Sequence, residues 1–406
     1  MFSRASALVT LCIVYFGMGM GNAAMGPLLP ALAGNAGLAL SEAGLILSVA
    51  FFGGIFANLA GGPTSDRVGR GPVLLVSILI GCAALFGSTV SRSIPVLLGF
   101  MFLSGLGGSA VILSASAMVS DLFAERSVAA LNLATLFFGV GAFAGPAAVS
   151  LSLTWWHNGM PALWAAAAFG VVVAAPLVAI LTRRLAARPG VAPLDPAGDT
   201  VEAPGALREG SLLRSPLLWV FGAVLLLDVG TEQTVAAWTA VYMSQSAALA
   251  LEEAALVVSG FWITFTLGRL GGAGIGSRWS SNSVLVASLA TAAAGILLIN
   301  VGTGHLLPSI FGFLLMGLGF GPVFPTIVAL VGRTFGRSAG TAMGITMTLG
   351  TAGGMFFVWF EGILMAGIGP AAGVRLFGFT IVGIALLVVA ARFLTRSAHP
   401  NRPQAG

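Results

Sequence analysis

Twelve long apolar runs, each about as long as a membrane-spanning helix, are the feature that most restricts what this chain can fold into. A helix needs about 20 apolar residues to cross the hydrocarbon core of a bilayer. The runs fall at residues 5–30, 41–62, 72–90, 94–120, 127–151, 161–182, 215–243, 252–275, 283–302, 306–331, 338–365 and 370–394. They predict an all-α membrane protein with twelve transmembrane helices.

The composition supports a membrane location. Of the 406 residues, 57% are hydrophobic and only 8% are charged, whereas a soluble chain carries about 25% charged residues. A charged side chain at the bilayer centre costs roughly 2.5–3.5 kcal/mol on insertion scales, which explains why so few are present. The 57 glycines also fit, because small residues let transmembrane helices approach one another closely.

The arginines predict the orientation of the chain. With both termini in the cytoplasm, 16 of the 18 basic residues lie on or near the cytoplasmic side, and only Arg92 and Arg375 lie outside. This asymmetry follows the positive-inside rule and predicts a bacterial inner-membrane protein with cytoplasmic termini. Apart from the adjacent Arg183 and Arg184, the arginines stand singly between apolar runs. They form no basic face, so we expect no nucleic-acid partner. The cytoplasmic set is Arg4, Arg67, Arg70, Arg126, Arg183, Arg184, Arg188, Arg208, Arg214, Arg269, Arg278, Arg333, Arg337, Arg392, Arg396 and Arg402.

The chain divides into two similar halves. The segment 183–214 is polar and rich in proline, which is typical of a flexible linker. It separates an N-terminal six-helix bundle (1–182) from a C-terminal one (215–406). Gly105 and Gly107 match Gly317 and Gly319 at an offset near 211 residues. A repeat of this kind predicts two bundles related by a pseudo-two-fold axis, with a solute site between them at mid-membrane.

The loop after the second run carries the most specific motif. Residues 62–70 read Gly-Pro-Thr-Ser-Asp-Arg-Val-Gly-Arg and resemble the G-x-x-x-D-R-x-G-R signature of the major facilitator superfamily. The resemblance implies a transporter of two six-helix bundles whose cytoplasmic side is locked by this motif in the outward-open state. The alternative is an ordinary solvated, positively charged loop. The gating residues predicted from the motif and from the acids and bases near span four are Gly62, Asp66, Arg67, Arg70, Asp121 and Arg126.

Three acids lie inside the predicted spans and away from the first turn of each span, and these are candidates for proton coupling: Asp228, Glu232 and Glu361. An ionisable residue inside a membrane is by default a candidate functional site. Asp228 and Glu232 are four residues apart and therefore share one face of span seven. In a low dielectric the two carboxylates do not both ionise easily, which suits a group that binds and releases a proton.

Span seven continues through Gln233 to Trp238 and Tyr242. This segment resembles the fucose–galactose–glucose:proton symporter branch over some 15 residues, although Asn22 stands where that branch often has an acid. Polar and aromatic residues in the spans are candidates for substrate binding, with interfacial anchoring as the alternative for the tryptophans and tyrosines. The predicted substrate-binding residues are Tyr15, Asn22, Asn132, Glu232, Gln233, Trp238, Tyr242, Trp262 and Trp359.

These features predict a secondary active transporter that moves a small polar or sugar-like solute by alternating access, coupled to protons. Efflux of a drug or other amphipathic compound is the alternative, supported by Gly139–Pro146, which resembles a motif frequent in antiporters. A lipid transporter or a non-transporting sensor ranks below both. No phosphate-binding or metal-ligand spacing is present, so we expect no enzyme activity, cofactor or metal. The expected partners are a small-molecule substrate, protons and membrane lipids, and the expected state is a monomer.

The orientation leads to a first prediction. If the termini and the 183–214 linker are cytoplasmic, a Thr200→Cys variant will not react in sealed cells with a thiol reagent that cannot cross membranes. The same residue will react after the cells are permeabilised. Modification in sealed cells would contradict the predicted topology.

Overall fold

The computed structural model describes residues 4–123, 127–186, 212–275 and 278–398, and within these ranges the regular structure is entirely helical. The α-helices are α1 Arg4–Ala36, α2 Gly44–Val68, α3 Arg70–Val90, α4 Ile94–Leu122, α5 Ser127–Trp156, α6 Met160–Ala186, α7 Pro216–Ser246, α8 Leu251–Ile275, α9 Ser281–Val301, α10 Leu306–Phe320, α11 Val323–Phe335, α12 Ala339–Ile368 and α13 Pro370–Ala398. Short 3-10 turns cover Leu40–Glu42 and Gly336–Ser338. The predicted linker falls mostly outside the described residues.

The helices have the length and polarity of membrane spans. Across the described ranges, eleven segments are long and apolar enough to cross a bilayer, and the part of α6 whose side chains are described, Met160–Ala175, is also apolar. The prediction of an all-α membrane protein is confirmed. Several helices extend beyond the predicted runs; α1 and α2, for example, continue to Ala36 and Val68. Helices longer than the hydrocarbon core reach into the polar headgroup region, where hydropathy no longer marks their ends.

The tenth span differs from its prediction because it is two helices. The segment Leu306–Phe335 crosses as one apolar unit, but α10 ends at Phe320 and α11 begins at Val323. Pro322 lacks a backbone N–H and breaks the ladder of helix hydrogen bonds. Gly321 packs directly on the backbone of α8, where an added Cβ would meet the carbonyl oxygen of Phe265 and come within 2.9 Å of Arg269 N. The break therefore lies against α8.

The two halves repeat the same packing. In the first half α2 and α3 pack on α4, and in the second half α8 and α9 pack on α10. Gly105 of α4 contacts the backbone of Ala50, and Gly317 of α10 contacts that of Phe261. Their neighbours Gly107 and Gly319 lie on the carbonyls of Ser77 and Ser288 respectively. The glycine matches seen in the sequence thus mark equivalent helix crossings in two bundles.

The bundles meet mainly along three helix pairs of the described residues: α1 with α7, α2 with α12, and α5 with α8. We call the face holding the outer ends of α1 (Arg4) and α13 (Ala398) the terminal face, and the other the opposite face. Gly44, at the start of α2 on the opposite face, packs on the backbone of Val358 and Trp359. One turn further on, Ser48 Oγ donates to the carbonyl oxygen of Met355 at 2.7 Å. The seam between the bundles is therefore closed near the opposite face.

Close backbone approach also holds each bundle together, and this yields a second prediction. An added Cβ at Gly141 of α5 would meet the carbonyl oxygen of Phe16 and lie 3.0 Å from Met20 N on α1, whereas Gly99 of α4 has open space around it. Gly141→Ala will therefore destabilise the protein by about 1–3 kcal/mol, the usual cost of overpacking. Gly99→Ala will not, because it displaces nothing.

The measurement is the midpoint of thermal unfolding in detergent for both variants and the wild type. Both substitutions add one methyl group to a helical glycine, so helix propensity favours each of them equally. A Gly141→Ala protein as stable as the Gly99→Ala control would contradict the packing argument.

Candidate transport site

A cavity of about 440 Å³ lies near the middle of the helices. Helices of both halves line it, with α1, α3 and α4 supplying much of one wall and α7 the other. Its size is within the roughly 300–1,000 Å³ typical of pockets for small molecules. Large apolar side chains make up much of the wall: Met18, Met25, Phe51, Leu85, Met101, Phe138, Phe169 and Phe324.

Polar groups from several helices converge on this cavity. Of the residues predicted to bind substrate, Tyr15, Asn22, Glu232 and Gln233 line it. Tyr15 is fixed by a 2.6 Å hydrogen bond between its hydroxyl and Ser116 Oγ. Glu232 is only 6% exposed, and its Oε1 accepts a hydrogen bond of 3.0 Å from Gln233 Nε2. Neighbouring side chains thus present a carboxylate and an amide to one solute-sized space.

Arg269 is the lining residue that sequence reasoning missed. The sequence placed it with the arginines of the cytoplasmic side, but it lines the cavity. It lies six residues before the end of α8 at Ile275, which puts it about 9 Å inside the helix end. Its guanidinium carbon stands 4.5 Å from the centre of the Phe265 ring. The signal available in the sequence was a single arginine in residues 254–275, which hold no other charged residue.

Asp228 lies one turn from Glu232 on α7 and is fully buried, at 0% exposure. Neither of its carboxylate oxygens has a hydrogen-bond partner, and it is not among the residues that line the cavity. Arg269 is within electrostatic range of both acids. The structure therefore brings two carboxylates and one guanidinium together beside the cavity.

The other predicted substrate residues lie elsewhere. Trp238 and Tyr242 follow Glu232 on α7 but turn into the second bundle, where Trp238 Nε1 donates to the carbonyl oxygen of Val358 at 3.0 Å. Trp262 is 1% exposed and packs edge-on against Phe138 at the seam, with ring centres 6.3 Å apart. The last two are not among the residues that line the cavity: Asn132 is exposed, and Trp359 is 36% exposed.

Glu361, the third candidate for proton coupling, is also away from the central cavity. It borders a separate space of about 10 Å³ together with Trp238, Thr239 and Tyr242. It is 2% exposed, and its Oε2 has no hydrogen-bond partner. Gly373 of α13 packs directly on its carboxylate, so a Cβ at that position would collide with it. Glu361 is a buried group within the second bundle.

The motif at residues 62–70 forms the turn between α2 and α3. Gly69 links the helices with a φ of +95°, a conformation that favours glycine because it lacks a Cβ. Arg70 Nη1 donates to the carbonyl oxygen of Ala117 at 2.7 Å and forms an ion pair with Asp121. Arg67 is exposed. The side chains of three other predicted gating residues, Gly62, Asp66 and Arg126, lie outside the described residues.

A set of membrane-length helices in two matched bundles around a mid-depth cavity defines a membrane transporter. The described residues hold no group of three or more His, Cys, Asp or Glu that could bind a metal ion. The family model of the Major Facilitator Superfamily matches residues 11–358, and the chain belongs to this superfamily. Its members are transporters rather than enzymes.

Curated relatives match mainly in part. The chain is 32% identical to the 4-hydroxybenzoate transporter PcaK of Pseudomonas aeruginosa over 156 residues, which cover 37% of this chain and 35% of PcaK. It is 29% identical to the chloramphenicol resistance protein CraA of Acinetobacter baumannii over 168 residues, 40% of each chain. An uncharacterized MFS-type transporter of Yersinia pestis matches over 86% of both chains at 24% identity. The chain thus matches about a third of the length of PcaK.

Solved structures share the whole fold. A crystal structure of the nucleoside transporter NupG superposes with a TM-score of 0.76 at 13% identity, over 96% of this chain and 99% of that one. A bacterial homolog of the human lysosomal transporter Spinster, in an inward-facing and occupied conformation, gives 0.72 at 14% identity, over 99% of both chains. At such identities the likeness concerns the fold alone.

The cavity lining yields a third prediction. In a protein whose Cys12 and Cys82 are replaced by alanine, Gln233→Cys will react with a small thiol reagent in detergent, because position 233 faces the cavity. Thr234→Cys, at the next position on α7, will react far more slowly because Thr234 is 0% exposed. Mass spectrometry of the intact protein measures both rates. Equal rates at the two positions would contradict the described face of α7.

Proposed function

We propose that this protein is a secondary active transporter that moves a small amphipathic solute across the bacterial inner membrane by alternating access, coupled to protons through Glu232. The observation that carries the proposal is a buried carboxylate on the wall of a solute-sized cavity between two matched bundles. Membrane-embedded acids that face a cavity are typical of proton-coupled transporters. Glu232 is the group that gains and loses the proton.

The seam between the bundles supports alternating access. Close contacts join the bundles near the opposite face, and the described part of α4 makes no comparable contact with α10 or α11 near the terminal face. If the terminal face is cytoplasmic, as the arginines suggest, this conformation is the inward-facing one. Rocking about the seam then exposes the same cavity to the other side.

The terminal face carries the gate of this proposal. Arg70 and Asp121 pair within the first bundle and join α3 to α4. Their side chains are 33% and 59% exposed, so the pair is worth about 0–1 kcal/mol in this conformation. A weak exposed pair can exchange partners when the bundles close on that face, and such exchange suits a gate.

The lining favours an amphipathic solute with a ring over the sugar-like solute suggested by span seven. Phenylalanine and methionine side chains cover much of the wall, and aromatic faces stack well on other rings. A sugar needs a hydrogen-bond partner for each buried hydroxyl, because an unpaired buried hydroxyl is costly. The names of PcaK and CraA refer to 4-hydroxybenzoate and chloramphenicol, both small aromatic compounds.

Drug efflux remains the second candidate function. Two relatives are named chloramphenicol resistance proteins, and one of them, from Pseudomonas aeruginosa, is 43% identical over 65 residues. In that case protons move inward as the drug moves outward, and Glu232 holds either the proton or the drug. The direction of substrate movement relative to the proton gradient in proteoliposomes separates efflux from uptake.

The coupling role of Glu232 gives the fourth prediction. Glu232→Gln mimics the protonated acid and removes the group that releases the proton. Accumulation driven by a proton gradient will be abolished in proteoliposomes, whereas counterflow exchange of the same solute will be at least partly retained. Asp228→Asn will have a smaller effect if Asp228 only tunes its neighbour. The solute is chosen by a thermal-shift panel that begins with 4-hydroxybenzoate and chloramphenicol.

Glu361→Gln is the matched control, since it makes the same change at a buried acid outside the central cavity. It will leave both accumulation and exchange in place. If Glu232 instead holds helices together by a permanent contact, Glu232→Gln will lose exchange and accumulation equally and will unfold at a lower temperature. That result would rule out the coupling role.

A further inference from the structure

A guanidinium inside the central cavity requires a counter-charge, and the described residues supply none in direct contact with it. Arg269 lines the cavity, yet its Nε has no hydrogen-bond partner among the described residues. It forms no direct ion pair with Asp228 or Glu232, although it is within electrostatic range of both. The ring of Phe265 supports its guanidinium, which favours one placement of the charge.

Three ionic groups set the charge of this region. Asp228 and Glu232 are one helical turn apart on α7, and Arg269 faces them from α8. From the other helices that line the cavity, the titratable side chains on its wall are Tyr15 of α1 and Cys82 of α3, both uncharged at neutral pH. Glu361 of α12 borders its own separate space.

The net charge therefore depends on protonation of the two acids. With both acids ionised the site carries one net negative charge, and an anion is repelled. With one proton bound the site is neutral, and with two it is positive because only Arg269 remains charged. Charges interact strongly in a site shielded from water, so each proton changes the affinity for an anion substantially.

We propose that the central site takes a small organic monoanion of the arene carboxylate type, that Arg269 binds its carboxylate, and that the anion binds only after Asp228 or Glu232 has taken up a proton. This inference rests on the proposed proton-coupled function and names its substrate class. Arginine suits the role because its planar guanidinium matches the two oxygens of a carboxylate. The apolar wall, which includes Phe51, Phe138 and Phe324, accommodates the ring.

This charge arrangement also explains why proton and substrate would move together. The anion and the proton each make the other more favourable in the site, because an unpaired charge of either sign is costly in the membrane interior. Binding of one ligand raises affinity for the other by the same factor. The alternative is that Arg269 is a fixed counter-ion that only holds α7 against α8. A counter-ion of that kind does not discriminate between charged and neutral solutes.

The first test measures the charge of the cavity without any substrate. In the protein lacking Cys12 and Cys82, Thr351→Cys places a thiol on the cavity wall contributed by α12. Negatively and positively charged methanethiosulfonate reagents of similar size then report the local potential through the ratio of their rates. Changes in thiol ionisation affect both rates equally and cancel in the ratio.

We expect the rate of the negative reagent divided by that of the positive reagent to rise as the pH falls from about 8 to about 5.5. The rise is roughly tenfold for each unit of positive charge that the site gains. Glu232→Gln will raise the ratio at the higher pH. Arg269→Gln will lower it by about tenfold throughout, and Arg269→Lys will restore it. A ratio unaffected by pH, or unchanged by Arg269→Gln, would overturn the proposal.

The second test compares 4-hydroxybenzoate with its uncharged amide, which has the same ring and nearly the same shape. The wild type will bind the carboxylate more tightly than the amide at low pH, and Arg269→Gln will remove this preference without weakening the amide. Equal losses for both compounds, or a preference for the amide, would count against Arg269 as the anion-binding residue. If the wild type shows no preference for the carboxylate over the amide, but Glu232→Gln still abolishes proton-driven accumulation and keeps exchange, this inference is wrong and the proposed function stands.

Discussion

The cost of placing a charge in hydrocarbon determines how this molecule is organised. Only 8% of the residues are charged, and the described ones are placed mainly at helix ends, where water or headgroups solvate them. The main exception is the set of Asp228, Glu232 and Arg269, which lies on or beside the wall of the central cavity. Buried charges of this kind persist only where they can be neutralised by protons, by each other or by a ligand. The same cost that confines the rest of the chain to apolar helices is the physical basis of the proposal that this cluster responds to protons and to a solute.

Much of the packing follows from close contact between helix backbones. Glycines allow this close backbone contact in both bundles: Gly105 packs on the backbone of Ala50, and Gly317 packs on that of Phe261. In a membrane the hydrophobic effect does not drive helices together, so close van der Waals contact between small residues has to do so. Rigid bundles of this kind can move as units, which is what alternating access requires. The break at Gly321 and Pro322 shows how the chain departs from straight helices beside the cavity.

The fold could be predicted largely from the sequence because apolar length and arginine placement are strong, local signals. The superfamily assignment was confirmed. Glu232, Gln233 and Asn22 lie on the wall of the central cavity, and their roles there stay predictions. Side-chain direction was harder to predict. Trp238 follows Glu232 by six residues on α7, but its side chain points into the second bundle and not into the cavity. The sequence does not show this difference, because both faces of a fully enclosed helix are equally hydrophobic. Arg269 was missed because the sequence analysis assigned it to the cytoplasmic side on the basis of its position near the end of a predicted span.

The two faces of the transporter are held by different kinds of contact. Near the opposite face the bundles meet through backbone and small side chains, as at Gly44 with Val358 and at Ser48 with Met355. Near the terminal face, Arg70 and Asp121 form an exposed ion pair within the first bundle, and in the proposed cycle these charges exchange partners when the bundles close there. Ionic strength screens exposed charges but leaves buried backbone contacts almost unaffected. If the proposed gate closes through such charges, salt at the terminal face weakens the closed form of that face and leaves the contacts near the opposite face unchanged, so the ionic composition on one side of the membrane biases the resting conformation.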